Sequence, residues 1–233
     1  MLVADHNVLC VFFEHIVDAT HPLLSSDERE ELRPNRVYLA GPDLFFPDAN
    51  ERYARLKALC AELGLVGVSP LDGAQDILAH GAFTPETATQ LYQYDLALLK
   101  SCDAVVCNLV DFRGLEPDSG TVFELAYATA LGMPTQAYGP VQPMRDRIVD
   151  ACGVRPVAQP DDAEFDARHG LMIENFGLSH NLMLACSTQI HDSAQRALAA
   201  LASLLRSRPQ GGNPSRGAPR KDTLREHFQP VAS

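Results

Sequence analysis

Carboxylates are the residues of this chain best placed to do chemistry. The segment Glu116-Pro117-Asp118-Ser119-Gly120-Thr121-Val122-Phe123-Glu124 runs from a polar, turn-prone stretch into an apolar helical pattern over Val122 to Leu131. Asp118 or Ser119 can cap that helix, and Gly120 lets a ligand approach the backbone closely. Gly132 and Pro134 mark its end. Glu124 then falls in or near the first turn, where the helix dipole favours an ionised carboxylate. Asp118 lies upstream at the mouth of the same turn. An ionised carboxylate held there suits nucleophilic attack on a sugar carbon. A capping acid followed by a helix-surface glutamate is the plainer reading of the same residues.

Asp95 carries a similar choice. Leu91, Asp95, Leu98 and Cys102 follow the spacing of a single helix face, which puts a carboxylate on an apolar stripe. Such an acid either titrates high enough to serve as a general acid or sits at the stripe edge and bonds a loop backbone. Asp103, at the start of the next strand, reads as a turn or capping group.

The elements that must position these acids are legible from periodicity. Residues 37–40 read as a buried strand ending at Gly41-Pro42, 50–63 as a helix closed by Gly64, and 65–68 as a second strand. Thr84-Pro85-Glu86 is a helix start: a capping Thr, Pro at the first position, an acid in the first turn. That helix runs to about Ser101. Residues 104–110 read as a third strand and 135–138 as a fourth. Apolar strands alternating with helices predict an α/β fold, a mostly parallel sheet covered on both faces. Ligands of such folds bind outside the carboxyl ends of the strands. The groups there are Tyr38 to Asp43, Leu71 to Gly73, and Asp111 to Glu124.

Composition narrows the class. At 233 residues, with 46% hydrophobic residues, the chain suits one moderate domain with extensions. Three zones are expected: an extension over 1–35, a folded domain over 36–205, and a Gly-, Pro- and Ser-rich tail over 206–233. A net charge of −11 argues against a nucleic-acid binder. The six cysteines form no C-x-x-C pair and sit mostly in apolar runs, as buried thiols of a reducing, cytoplasmic compartment do. The histidines show no metal spacing, so no metal site is expected. No apolar run is long enough to span a bilayer.

Val37-Tyr38-Leu39-Ala40-Gly41-Pro42, Asp95 with Asp103 after it, and Asp118-x-Gly-Thr-x-x-Glu124-x-Ala-x-Ala together resemble the nucleoside 2-deoxyribosyltransferases. Asn181-Leu182-Met183, late in the chain, adds to the match. The resemblance covers about residues 36–190. It implies a flavodoxin-like or Rossmann-like three-layer sandwich. It further implies transfer of 2-deoxyribose between the nucleobases of 2′-deoxynucleosides, without a cofactor, by a homo-oligomer with shared sites. On this likeness Glu124 is the nucleophile at C1′, Asp95 the acid and base toward the leaving and entering bases, and Tyr38 the hydrogen-bond donor to the nucleophile. Asp118 binds a sugar hydroxyl. Asn181, from a neighbouring subunit, binds the 5′ end of the sugar, with Met183 packed near it. Gly41 and Gly120 give the backbone room to meet the substrate.

Some features depart from the simplest pattern. A long insertion, including Asp161 and Asp162, separates Gly139-Pro140 from Asn181. Asp43 and Asp72 sit at strand ends, where each is either a base contact or a turn residue; Asp43 is favoured as the base contact. A second activity of the same fold is hydrolysis of 2′-deoxynucleoside 5′-monophosphates, which needs phosphate donors such as Ser119, the Gly120 and Thr121 amides or Arg113. A phosphoribohydrolase would use a Gly-Gly-x-Gly-Thr turn, where this chain has Asp118-Ser119-Gly120. A non-enzymatic nucleotide-binding module would have no need to keep Tyr38, Asp95, Asp118 and Glu124 together.

Overall fold

Residues 33–74, 77, 83–155 and 163–207 are described in a computed structural model of the chain. The extension before residue 33, the tail after residue 207 and the Asp161–Asp162 run lie outside them. The compact unit that carries the site begins at Asn35.

Five short strands build one sheet: β1 (Arg36–Ala40), β2 (Val66–Val68), β3 (Ala104–Asn108), β4 (Thr135–Tyr138) and, beyond a separate two-stranded hairpin, β7 (Ile190–His191). Their order is β2-β1-β3-β4-β7 and each neighbouring pair is parallel. This is the doubly wound, flavodoxin-like order, whose ligand crevice opens at the carboxyl ends of β1 and β3, where the winding reverses. The fourth strand read from sequence, 135–138, is β4, and β7 follows it at the sheet edge. β7 escapes periodicity because it is two residues long and ends on His191.

Strand parity builds the two core layers. Side chains alternate across a strand, so Val37 and Leu39 of β1, with Ala104 and Val106 of β3, face one side. There they meet α1 (Ala49–Glu62) through Tyr53, Leu56 and Cys60, and α6 (Ala194–Arg206) through Ala197, Leu198, Leu201, Ala202 and Leu205. Tyr38 and Ala40, with Val105 and Cys107, face the other side, toward Leu99 of α2 (Pro85–Lys100) and Leu125 and Ala128 of α3 (Ser119–Ala130). Each fully buried Leu contributes about 1.5–3 kcal/mol.

The helices begin and end largely as their sequences dictate. The Thr84 side chain accepts from the Thr87 amide at 3.2 Å with Pro85 behind it. Gly64 and Gly132 take left-handed φ values of 74° and 69° after α1 and α3. The insertion holds α4 (Met144–Cys152) and an antiparallel hairpin of β5 (Val154–Arg155) and β6 (Phe165–Asp166), and α5 (Leu182–Ala185) comes next. Among the described residues no helix is long and apolar enough to cross a membrane.

Where β3 and β4 end, backbones pack so closely that only glycine fits. A Cβ on Gly139 would lie 2.7 Å from the Leu109 carbonyl oxygen and 2.9 Å from its carbon. Backbone on a central strand cannot yield cheaply, so Gly139→Ala should lower the unfolding free energy by about 1–3 kcal/mol. A urea midpoint equal to that of the wild type would contradict this packing.

Candidate active site

Tyr38 is on the strand face that looks toward α2 and α3. Its hydroxyl is wholly buried and donates to Glu124 Oε1 at 2.6 Å. Glu124 comes from α3, and Asp95 from α2 bears on both groups electrostatically. One strand and two helices therefore bring together three residues spread over 86 positions of sequence.

The start of α3 takes the first of the two caps expected from sequence, ahead of the apolar pattern. The helix begins at Ser119 rather than Val122, with Asp118 as N-cap; its Oδ2 accepts from the Thr121 amide at 2.9 Å and from the Thr121 hydroxyl at 3.1 Å. Polar Ser119 and Gly120 hid the first turn from an apolar pattern. Glu124 consequently lies beyond the first turn, and the helix dipole, which fades within that turn, is not what governs it. Burial pushes the Glu124 carboxyl up from 4.5 to about 7; the Tyr38 hydrogen bond pulls it down, and the negative charges of Asp95 and Asp118 push it up further. Burial also lifts Asp95, from 3.8 to about 6. The Tyr38 phenol is pushed far above its ordinary value, by burial first and the Glu124 charge second, so it stays a donor at any working pH.

The other expected groups divide by location. Gly41 follows β1 in close quarters: a Cβ there would sit 2.7 Å from Asn108 Cβ and 2.8 Å from Asp43 Oδ2. Asp43 is buried, accepting from Asn108 Nδ2 at 2.7 Å and pairing with Arg52 at 3.4 Å. Asn108, a polar residue ending an all-apolar strand, was a signal that sequence reading passed over. Asp72 accepts from the Ser69 amide and hydroxyl and from Lys57, which is turn chemistry. Asp103 takes the Arg36 amide at 2.7 Å, tying β3 to β1.

Asn181 caps α5: its Oδ1 accepts from the Met183 amide at 3.0 Å, and its Nδ2 donates to Glu174 at 2.8 Å. Met183 is 72% exposed. Asn181, Met183 and Leu184 face Glu116, Ser119 and Val122 across an open groove of ≈ 290 Å³. Residues two apart on a helix point about 200° apart, so Val122 and Glu124 occupy opposite sides of α3. Asn181 and Met183 thus lie along the Val122 side of α3, and Glu124 projects from the other. Glu174 and Arg147, which anchor this segment, carry no spacing rule that sequence reading could use.

An open parallel sheet of this order, with a paired buried carboxylate at the reversal of its winding, defines a flavodoxin-like α/β protein equipped for acid, base or nucleophilic chemistry. The chain belongs to the nucleoside 2-deoxyribosyltransferase family, whose sequence profile matches residues 37–183. That stretch holds every candidate residue named above. Among solved structures the chain is similar to the 2-desoxiribosyltransferase from Leishmania mexicana. The two are 32% identical over 73% of this chain and 98% of that one, with a TM-score of 0.55. A 2-deoxyribosyltransferase from Bacillus psychrosaccharolyticus is 20% identical over 71% of this chain and 95% of that one, with a TM-score of 0.44. An uncharacterised protein of Schizosaccharomyces pombe is 37% identical over 105 residues, 44% of this chain; the match spans about half, 48%, of that curated relative.

The raised Glu124 carboxyl has a consequence for stability. Its folded pKa of about 7 exceeds its ordinary 4.5. The native state then holds its proton more tightly than the unfolded chain, and stability is lost as pH rises through that window. Glu124→Gln removes the penalty of a buried charge and keeps an acceptor for Tyr38. The variant should gain roughly 1–3 kcal/mol over the wild type between pH 5 and pH 8. A stability difference that does not change with pH would show that Glu124 is not buried as described.

Proposed function

We propose that this chain transfers 2-deoxyribose between nucleobases through a covalent deoxyribosyl ester on Glu124, with retention of configuration. The observation that carries the reading is the 2.6 Å hydrogen bond from buried Tyr38 to Glu124, with Asp95 alongside on α2. Family membership and the likeness to the Leishmania mexicana enzyme support it.

In the first half, a Glu124 oxygen bonds C1′ as the C1′–N bond to the base breaks, and Asp95 gives its proton to the departing nitrogen. In the second, the nitrogen of a new base bonds C1′, Asp95 takes that nitrogen's proton, and Glu124 leaves as carboxylate. Each displacement inverts C1′, so the sequence retains the β-configuration. The transition states resemble oxocarbenium ions, which a nearby carboxylate stabilises. Tyr38 fixes the other Glu124 oxygen and orients the attacking one. Asp118 binds a sugar hydroxyl, and Gly41, Gly120 and Asp43 shape the crevice around sugar and base. Asn181 and Met183 serve the site of a second copy, which accounts for their place across α3 from their own chain's Glu124; the working unit is then a homo-oligomer. The substrates are 2′-deoxynucleosides and free bases, and the chemistry requires no cofactor.

The catalytic form needs one proton shared between two carboxyls. With Asp95 lifted to about 6 and Glu124 to about 7, the proton of the singly protonated pair rests mainly on Glu124, and the reactive arrangement, Glu124 ionised and Asp95 protonated, is the minor tautomer of that state. Below the first step of the pair's titration both are protonated and no nucleophile exists; above the second both are ionised and no acid remains. A bell-shaped kcat/KM profile with its maximum between about 6 and about 7 is expected. A plateau extending through pH 9 would remove Asp95 as the acid.

Incubation with one deoxynucleoside and a different free base should yield the exchanged deoxynucleoside, read by chromatography. Glu124→Ala should reduce exchange by ~10³-fold or more. Free deoxyribose with no exchanged product would replace this reading with hydrolysis, and retained activity in the variant would remove Glu124 as nucleophile.

A further inference from the structure

We infer that Arg147 is a positioning residue of this site. Its guanidinium clasps the β3–α3 loop, which ends in Asp118, to the segment that carries Asn181 and Met183, and so sets affinity for the deoxynucleoside. The inference rests on the reading that Asp118 binds sugar.

Arg147 stands on α4, within the insertion, and only 8% of its side chain is exposed. A buried guanidinium must have its fork satisfied, because its charge cannot be removed by deprotonation. Here the fork reaches three acceptors on two segments. Nη2 donates to the Leu115 carbonyl at 2.5 Å and to Asp111 Oδ1 at 2.7 Å, both on the β3–α3 loop. Nη1 donates to the Ser179 carbonyl at 3.0 Å, two residues before Asn181. His180, 2% exposed, closes the same clasp at the loop's other end, with Nε2 2.9 Å from the Leu109 carbonyl oxygen. Burial lowers the His180 pKa, so the neutral ring, with Nε2 as donor, fits that contact.

The contact with Leu115 matters because Asp118 is so near it along the chain. Only Glu116 and Pro117 separate the two. Proline fixes its own φ and restricts the residue before it, so this connection is stiff and a shift of Leu115 moves Asp118. Asp118 spends Oδ2 on capping α3. Among the described residues its Oδ1 has no partner, which leaves that oxygen for a ligand. The loop has a separate hold on its near side, where Phe112 stacks on Phe45 with centroids 5.3 Å apart. The Phe112 amide donates to the Glu116 carbonyl at 2.9 Å and closes the loop's base, so loss of the Arg147 fork loosens the Asp118 side without opening that base. The carboxylates of the chemical step, Glu124 and Asp95, stand on helices that the fork does not touch.

The test uses the full chain with Arg147→Gln, and Asp111→Asn as a second variant that removes one arm at a half-exposed position. Two readouts separate positioning from bulk stability. The first is affinity for a deoxynucleoside, taken as KM in exchange and by calorimetry. The second is the rate of tryptic cleavage at Arg113–Gly114, an exposed bond inside the clasped loop. R147Q should raise KM and Kd roughly tenfold, leave kcat within about threefold, and speed the Arg113 cut; D111N should do the same to a smaller degree. Unchanged affinity, unchanged cleavage, or a fall in kcat at constant KM overturns the inference. If R147Q does not fold, D111N decides by the same criteria. If the wild type exchanges no base, the functional reading fails separately, and calorimetry with cleavage still decides the clasp.

Discussion

The burial of β1 on both faces is the constraint on which the rest of this molecule depends. Because β1 lies between β2 and β3, each side chain on it must go to one helical layer or the other. Val37 and Leu39 are content with hydrocarbon, but Tyr38 carries a hydroxyl into a layer where an unpartnered polar group costs about 1–3 kcal/mol. Glu124 has the reciprocal difficulty: a carboxylate on the inner side of α3 needs a donor. The 2.6 Å bond between them resolves both. A slip of one residue in the β1 register would send Tyr38 to the opposite face and leave both groups unmatched. Fold specificity and the candidate nucleophile thus hang on the same contact.

Two sets of acids among the described residues stand in electrostatic contrast. Asp48 lies against Arg52 and Arg55, and Glu164 holds Arg145 with two bonds of 2.7 and 2.6 Å; these pairings hold the carboxyls below their ordinary values. Glu124 and Asp95 are shifted the other way. The influences on Glu124 are burial, a phenol and two further acids, with no cation among them. A molecule selected only for stability would neutralise such a carboxylate. Leaving it unneutralised is the mark of a site that keeps a reactive charge at the expense of stability.

How much of this was legible depended on how local each signal was. The first three strands and the helices α1 and α2 come from apolar runs, the Thr84-Pro85 start and Gly64, all readable within a few residues. Glu124, Asp95 and Tyr38 stood out by residue type and by order along the chain. The apolar pattern of α3 starts only at Val122, because Ser119 and Gly120 look like loop, so the pattern alone misses the first turn. The capping role of Asp118 was anticipated, but its effect on the position of Glu124 within the helix was not. Sequence favoured Asp43 over Asp72 as a base contact but could not supply the partners of either. Asp72 is a turn acceptor for Ser69, whereas Asp43 reaches across the sheet to Asn108, 65 positions away. Contacts that join remote segments leave no local period, so the anchors Arg147 and Glu174 had no signature at all.

The long insertion between β4 and Asn181 looked like a threat to the placement of that residue, since a longer connection has more conformations to lose. Loop-closure entropy grows only logarithmically with length, and this connection is not a free loop. Its backbone is knotted to itself at both ends: the Met144 amide donates to the Leu178 carbonyl at 2.7 Å, and the Ile173 amide to the Glu164 carbonyl at 2.8 Å. Arg145 joins α4 to Glu164 beside the hairpin, and Glu174 takes both the Asn181 side chain and the Leu182 amide. Among the described residues of the insertion, these ties brace α4, the 163–181 stretch and the start of α5 against one another. For the described part of the connection, the ties across it rather than its length set where Asn181 comes to rest.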